Sequence, residues 1–393
     1  MRYFFPLILM ILVATSCDKI VISDKQKDGF VKFYGNNAND EGVDVLQTAD
    51  GGYLIMGNLE NQDGNKDIFI IQTDEFGNSK APVKTYGGSS DEVAHRIKKD
   101  ANGYIIAGYK QTDVGNRDVY LIQINNNGDT LWTSTFDIPR DDEAYDIIPL
   151  DNGNFALTGY TDSASDDLKR RILFMEINNK GQRINTKNKG TSEDDEAYCM
   201  MKISGGYILC GYSKGYPNAT TVRNAFMLQI NEHATSNAIP MAPLGSGSNS
   251  EIISITGNNG NYLVTCNSKG QLTNQNFIQL VEVGAPELGN KSIQWKKTLG
   301  EENYVSAGST TIKGNQIYIT GTSAAQGTTG NIILIRTSLQ GENPDYSYIG
   351  DGASYTCNSF DFTSDGGYIF TGASHINENS VILLVKVNAQ LGL

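Results

Sequence analysis

The sequence predicts an all-β fold, a closed circle of seven antiparallel four-stranded units. Three observations predict it. One phrase recurs seven times at a nearly fixed interval. Each interval reads as four short strands separated by turn residues. The two ends of the chain carry complementary parts of the last unit.

The phrase is clearest as DGGYLIMG (Asp50–Gly57), NGYIIAG (Asn102–Gly108), NGNFALTG (Asn152–Gly159), GGYILCG (Gly205–Gly211) and DGGYIFTG (Asp365–Gly372). Weaker copies stand at NGNYLVTCN (Asn259–Asn267) and GNQIYITG (Gly314–Gly321). The period is about 52 residues, a length that signals propellers or arrays.

The second repeat shows the elements in order. Glu92–Lys98 alternates loosely and reads as a first strand. Asp100–Gly103 is a turn, because glycine takes positive φ at no steric cost. Tyr104–Tyr109 (YIIAGY) is a continuous apolar run, as in a strand covered on both faces. A polar loop, Lys110–Arg117, leads to a third strand at Asp118–Ile124. The turn Asn125–Gly128 (NNNG) then gives a fourth strand, Thr130–Phe136, free to alternate at a solvent edge. Units of this kind are the blades of a seven-bladed β-propeller. The first strand lines a central channel and can carry polar residues such as His95 and Lys98. Gly108 and its equivalents are expected where neighbouring sheets approach closely.

Closure follows from the ends. Phe30–Tyr34 (FVKFY) is like the fourth strand, and Val381–Val387 (VILLVKV) is like the third. Pairing them completes the last blade and removes two sheet edges. Residues 29–393 therefore read as one propeller domain.

The N-terminus has a different character. Arg2 is followed by the apolar run Phe4–Val13, then Ala14-Thr15-Ser16 directly before Cys17. This is the layout of a secretory signal. It resembles a bacterial lipobox of the relaxed kind found in Bacteroidota, which implies lipidation at Cys17 and a signal peptide at 1–17. Residues 18–28 are polar and read as a flexible tether. The propeller repeats together with this leader resemble the seven-bladed propeller lipoproteins of the Bacteroidota cell envelope, a family whose fold is clearer than its function. WD-repeat proteins are more distant, since their Gly-His and Trp-Asp marks are absent. Kelch repeats place paired glycines after the second strand, whereas Gly51-Gly52, Gly205-Gly206 and Gly366-Gly367 precede it. The resemblance implies attachment to the outer membrane by acyl chains, on its periplasmic or its outer side.

The chain of 393 residues has 31 Lys+Arg against 44 Asp+Glu, a formal charge of −13. Such acidity repels phosphate backbones and argues against a nucleic-acid partner. Of the five cysteines, Cys17 goes to lipid. Cys199 and Cys210 flank a hairpin turn and face each other across two strands. They form either a disulfide, which an envelope permits, or two small buried hydrophobes. No spacing supports a zinc site.

Four groups of residues are candidate sites. An acidic pair recurs at the first strand as Asp40-Glu41, Asp91-Glu92, Asp142-Glu143 and Asp195-Glu196. It reads either as an acidic mouth of the channel or, better, as scaffold, because a residue repeated in every blade serves every blade. Tyr109, Tyr160, Tyr212 and Tyr216 lie at or in the loops between second and third strands. They read as stacking surfaces for a sugar or peptide, or as packing at strand ends. Asn61–Asp67 spaces oxygen atoms somewhat like a Ca2+ loop but lacks its distal bidentate glutamate. Asp129-Thr130-Leu131 and Asp162-Ser163-Ala164 resemble the short O-glycosylation sequence of Bacteroidota.

No nucleophile elbow, phosphate loop or histidine pair appears. The reading that fits best is a non-catalytic, lipid-anchored envelope protein that binds a protein or a glycan. An envelope hydrolase or lyase acting on glycans at the channel mouth, and a structural subunit of an outer-membrane complex, are the alternatives.

Overall fold

The computed structural model describes residues 29–35, 38–163, 168–216, 222–231, 239–240, 249–270, 275–284, 293–300, 305–324, 330–350 and 353–393. Cys17 and the tether lie outside the described residues. The described residues form seven four-stranded sheets, each ordered first to fourth strand outward from the axis. Blade 2 is typical, with strands Glu92–Lys99, Tyr104–Gln111, Arg117–Ile124 and Thr130–Phe136. The first strands of blades 1 and 3–7 are Glu41–Gln47, Asp142–Pro149, Asp195–Ile203, Asn249–Asn258, Val305–Lys313 and Ser354–Phe362. Among the described residues no helix is long and apolar enough to cross a membrane.

The apolar middle strands follow from the position of the core. Seven hydrophobic clusters fill the seven gaps between neighbouring blades. Side chains alternate across a sheet, so one strand feeds two gaps. Tyr104 and Ile106 face blade 1, while Ile105 and Ala107 face blade 3. A fully buried Leu or Ile contributes about 1.5–3 kcal/mol, so the gaps hold the blades without any central core.

Closure takes the expected form. Phe30–Tyr34 pairs with Asn379–Val387 in the register Phe30↔Lys386 through Tyr34↔Ile382, giving blade 7 its outermost strand. Outer strands also latch onto the next blade. The Tyr34 hydroxyl donates to Gly77 O at 2.6 Å, and the Ser134 hydroxyl to Gly181 O at 2.8 Å. Those glycines close the third-to-fourth turns with φ near +75°, which is why these turns, like Asn125–Gly128, end in glycine.

Every first strand carries a one-residue β-bulge, at Val43, His95, Tyr145, Tyr198, Ile253, Gly308 and Asn358. A bulge bends the strand and re-aims a side chain. Here all seven bulged residues are half-buried. The bulge also corrects the expectation for the repeated glycine. A Cβ on Gly108 would stand 1.8 Å from Val93 O, and one on Gly159 would stand 1.8 Å from Glu143 O. The close approach is therefore to the bulged strand of the same blade and not to a neighbouring sheet.

Cys199 and Cys210 are direct register partners, and both are buried as unbridged thiols rather than joined in a disulfide. Cys199 follows the bulge at Tyr198, and its Sγ points at Cys210 O, 4.0 Å away, rather than at sulfur. Cys266 and Cys357 are likewise free and buried. Burial pushes both of these thiols up to about 12.

The two faces of the ring differ. One carries the hairpin turns (turn face). The other carries the second-to-third loops and the crossings between blades (loop face). Because Phe30 pairs with Lys386 near the end of the last strand, the chain enters the fold at Gly29 on the turn face.

A tyrosine, arginine and glutamate relay on the loop face

The repeated acids divide by position relative to the bulge. Four residues before it stand Asp91, Asp141, Asp194 and Asn249. Their side-chain oxygens accept the backbone N–H of Lys66, Arg117, Arg170 and Arg223 at 2.9–3.2 Å, each from the preceding blade. These residues are couplings between blades, capping the start of each third strand as an Asx side chain does in a turn.

Three residues before the bulge stand Asp40, Glu92, Asp142 and Asp195, all buried. Asp40 accepts Glu60 N–H at 3.0 Å. Glu92 takes Gly88 N–H and the Lys110 ammonium, the latter at 2.8 Å. Asp195 accepts the Thr191 hydroxyl at 2.9 Å and its backbone N–H. Burial raises the Asp142 carboxyl to about 8, against the Thr161 hydroxyl and with help from Asp162, which favours its protonated form.

Two residues before the bulge stand Glu41, Glu143, Glu196 and Glu251. Here the acids meet the predicted tyrosines. Tyr160 is the direct cross-strand partner of Glu143, and Tyr212 of Glu196. Direct partners on one face lie close enough to bond. The Tyr160 phenol donates to Glu143 at 2.9 Å and the Tyr212 phenol to Glu196 at 2.7 Å. Glu143, Glu196 and Glu251 also pair with an arginine from the blade before: Arg117 with Glu143, Arg170 with Glu196 and Arg223 with Glu251. Each arginine in turn lies over the tyrosine of its own blade, 4.8 Å from the ring centre for Arg117 on Tyr109, 4.1 Å for Arg170 on Tyr160 and 4.4 Å for Arg223 on Tyr212. Guanidinium over an aromatic face is attracted by the ring quadrupole.

The result is one continuous chain of contacts. It runs Tyr109, Arg117, Glu143, Tyr160, Arg170, Glu196, Tyr212, Arg223, Glu251, and it spans blades 2 to 5. His95 adds a branch, its Nε2 standing 3.0 Å from Glu143. Burial alone would raise the Glu143 carboxyl, but His95 and Arg117 hold it down at about 2. The bulged aromatics lie beside this chain. His95 and Tyr145 are 4.9 Å apart, and Tyr145 and Tyr198 meet edge to face at 5.0 Å. Burial followed by the nearby glutamates pushes both phenols far above their ordinary range.

Tyr109, Tyr160 and Tyr212 are thus buried beneath arginines, and ligand stacking, one of their two expected uses, is closed to them. The cause lies on the third strand. Arg117 sits two residues before the partner of Tyr109, a diagonal neighbour within reach of a long side chain. Tyr216 lies apart, half-buried beside a small apolar niche of about 130 Å³ lined with Ile172, Phe226 and Leu228. In Asn61–Asp67 the Asn61 oxygen is spent on the N–H groups of Asp63 and Asn65, as in an Asx turn.

Blade 5 breaks the pattern. The tyrosine position holds Asn267, the arginine position Asn276, and the next glutamate position Ser306. Asn276 still reaches Ser306, at 3.4 Å. The shorter side chains leave a cleft of about 350 Å³ lined by Arg223, Asn249, Glu251, Asn267, Ser268, Lys269, Asn276 and Ser306.

The fold has solved counterparts. No protein-family model and no curated protein matches the chain. YCF48 bound to a D1 peptide is similar over 92% of this chain and 97% of that one, at 11% identity and TM-score 0.51. The propeller domain of the Trilobed protease from Pyrococcus furiosus follows over 90% of this chain and 94% of that one, at 9% identity and TM-score 0.49. A Synechocystis apocarotenoid oxygenase covers 92% and 96% at 10% identity and TM-score 0.47. These likenesses concern the fold and leave the activity of this chain undetermined.

Sequence reasoning missed the three arginines, Tyr145, Tyr198 and the cleft. A signal for the arginines existed, since Arg117, Arg170 and Arg223 recur with the period of the glycines.

Proposed function

We propose that the chain is a non-catalytic, lipid-anchored binding protein of the cell envelope that turns the loop face of its propeller toward a protein or glycan. The observation that carries this reading is the opposition of the two faces. The chain enters at Gly29 on the turn face, and the residues 18–28 that precede it lead back to Cys17. Eleven residues reach at most about 40 Å, so an anchor at Cys17 keeps the turn face toward the bilayer. The polar relay and the cleft sit on the opposite face, open to a partner.

Binding rather than turnover suits the chemistry of that face. Glu143 and Glu196 are each matched by an arginine and a phenol, and Glu143 is held ionised well below neutral pH. A general acid or base works best with a pKa near the operating pH. Varied loops on a rigid scaffold are also the usual seat of recognition.

The test is a pull-down from native envelopes with the tagged full chain, beside a Cys17→Ser variant in cells labelled with palmitate. The expected result is label on the wild type only, release of the variant from membranes, and a stoichiometric protein or a glycan retained by both. Label-free, soluble wild type overturns the anchor. Retention of neither protein nor glycan overturns the binding role.

A further inference from the structure

We infer that the blade 5 cleft is a binding site for an uncharged saccharide. This rests on the binding role proposed above and names its ligand class.

The argument starts from what the cleft replaces. In blades 3 and 4 a glutamate receives one arginine from the preceding blade and one phenol from its own blade. Glu143 has Arg117 and Tyr160, and Glu196 has Arg170 and Tyr212. Glu251 has the arginine, Arg223 at 2.7 Å, but its cross-strand partner is Asn267. Asn267 cannot stand in for the phenol. Its two amide ends are already bonded to Ala307, the oxygen accepting N–H at 2.8 Å and the nitrogen donating to O at 3.0 Å. Glu251 is therefore a half-buried carboxylate fixed by Arg223, lacking the hydroxyl donor that completes its counterparts. A ligand hydroxyl entering the cleft supplies that donor.

The rest of the lining points to the same class. Among the described residues no apolar side chain lines the cleft. Apart from Arg223, Glu251 and Lys269, what lines it is amide and hydroxyl: Asn249, Asn267, Asn276, Ser268 and Ser306. Amides and hydroxyls both donate and accept, as sugar hydroxyls do. The charge of Glu251 is matched by Arg223, so that pair carries no net charge, and the one further charge in the described lining, Lys269, is exposed at the end of the second strand. The volume of about 350 Å³ falls at the lower end of the range of about 300–1,000 Å³ for small-molecule sites, which suits one or two sugar units.

The scaffold also provides the test. Asn267→Tyr and Asn276→Arg each install the residue that blades 2 to 4 use at that position, and so fill the cleft with a side chain the fold accommodates elsewhere. The full lipidated chain in detergent and both variants are applied to an immobilised panel of neutral oligosaccharides of glucose, galactose, mannose and N-acetylglucosamine, with sulfated and uronic-acid counterparts. The expected result is retention of the wild type on neutral members, lowered about ten-fold or more in the variants, with melting temperatures preserved. If Asn267→Tyr lowers melting, Asn276→Arg carries the comparison, since Asn276 is exposed at the start of the third strand. Retention on no member, a preference for the charged members, or equal retention of wild type and Asn276→Arg overturns the inference. A protein recovered equally from envelopes by all three proteins would leave the binding role standing and remove the saccharide.

Discussion

Tyr160 and Arg117 belong to different blades, yet both bond the Oε1 atom of Glu143. One carboxylate thereby fastens blade 2 to blade 3 and fixes the end of a second strand. The same arrangement recurs at Glu196, so the relay holds the loop face of these blades together.

Glu143→Gln tests this fastening. Removing one member of a buried ionic group leaves the others without a counter-charge. Arg117 and His95 are partly exposed, and water moderates the loss. The expected cost is about 1–3 kcal/mol, read as a lower midpoint in chemical denaturation. The pH dependence has a definite sign. Glu143 is depressed to about 2 when folded, against about 4.3 for an ordinary glutamate. Its contribution is present above about 4.3 and is lost as the pH falls toward 2. The variant therefore differs most from wild type at neutral pH and converges with it in acid.

Asp142 has the opposite sign. Its folded value is about 8, against about 3.9 unfolded. The stability it carries is fully present below about 3.9 and is lost as the pH rises through 8. Asp142→Asn keeps a neutral side chain at every pH. The expected outcome is a denaturation midpoint that declines between about pH 4 and pH 8 in wild type, levels above that, and declines less in the variant. Parallel profiles would show that Asp142 is ionised in the folded chain.

Gly159→Ala and Gly153→Ala separate two uses of glycine. At Gly159 the added methyl meets Glu143 O, a backbone atom that cannot rotate away. The expected cost is about 3 kcal/mol or more. At Gly153 the φ of +79° is the only obstacle and the surroundings are open. The expected cost there is about 1–2 kcal/mol. Equal denaturation midpoints for the two variants would contradict the bulge-driven close approach.

The blades, their order and the closure at Phe30–Tyr34 were legible because each rests on local pattern. Apolar runs, turn glycines and the phrase period all lie within a few residues of one another. The acidic repeat was less so. By sequence Asp91-Glu92 lines up with Asp142-Glu143, whereas the bulges align Asp91 with Asp141 and Glu92 with Asp142. A bulge inserts its residue without marking the sequence. The fate of the tyrosines was hidden for another reason. Arg117 stands several residues beyond Tyr109, and only the pairing of second and third strands brings it over the ring. The cleft was hidden for the same reason, since Asn267, Asn276 and Ser306 become one vacancy only when blades 5 and 6 are side by side.

The pairing of Phe30 with Lys386 also sets a schedule for making the protein. Synthesis adds about 5–20 residues per second, so the first strand of the chain waits on the order of tens of seconds for its only neighbour to exist. During that time blades 1 to 6 can associate in sequence, but the growing arc has two open sides. Anything that guards those sides, a chaperone or an export machine holding the chain extended, acts in the interval before residue 386 is available, and the circle locks only after the last turn has been made.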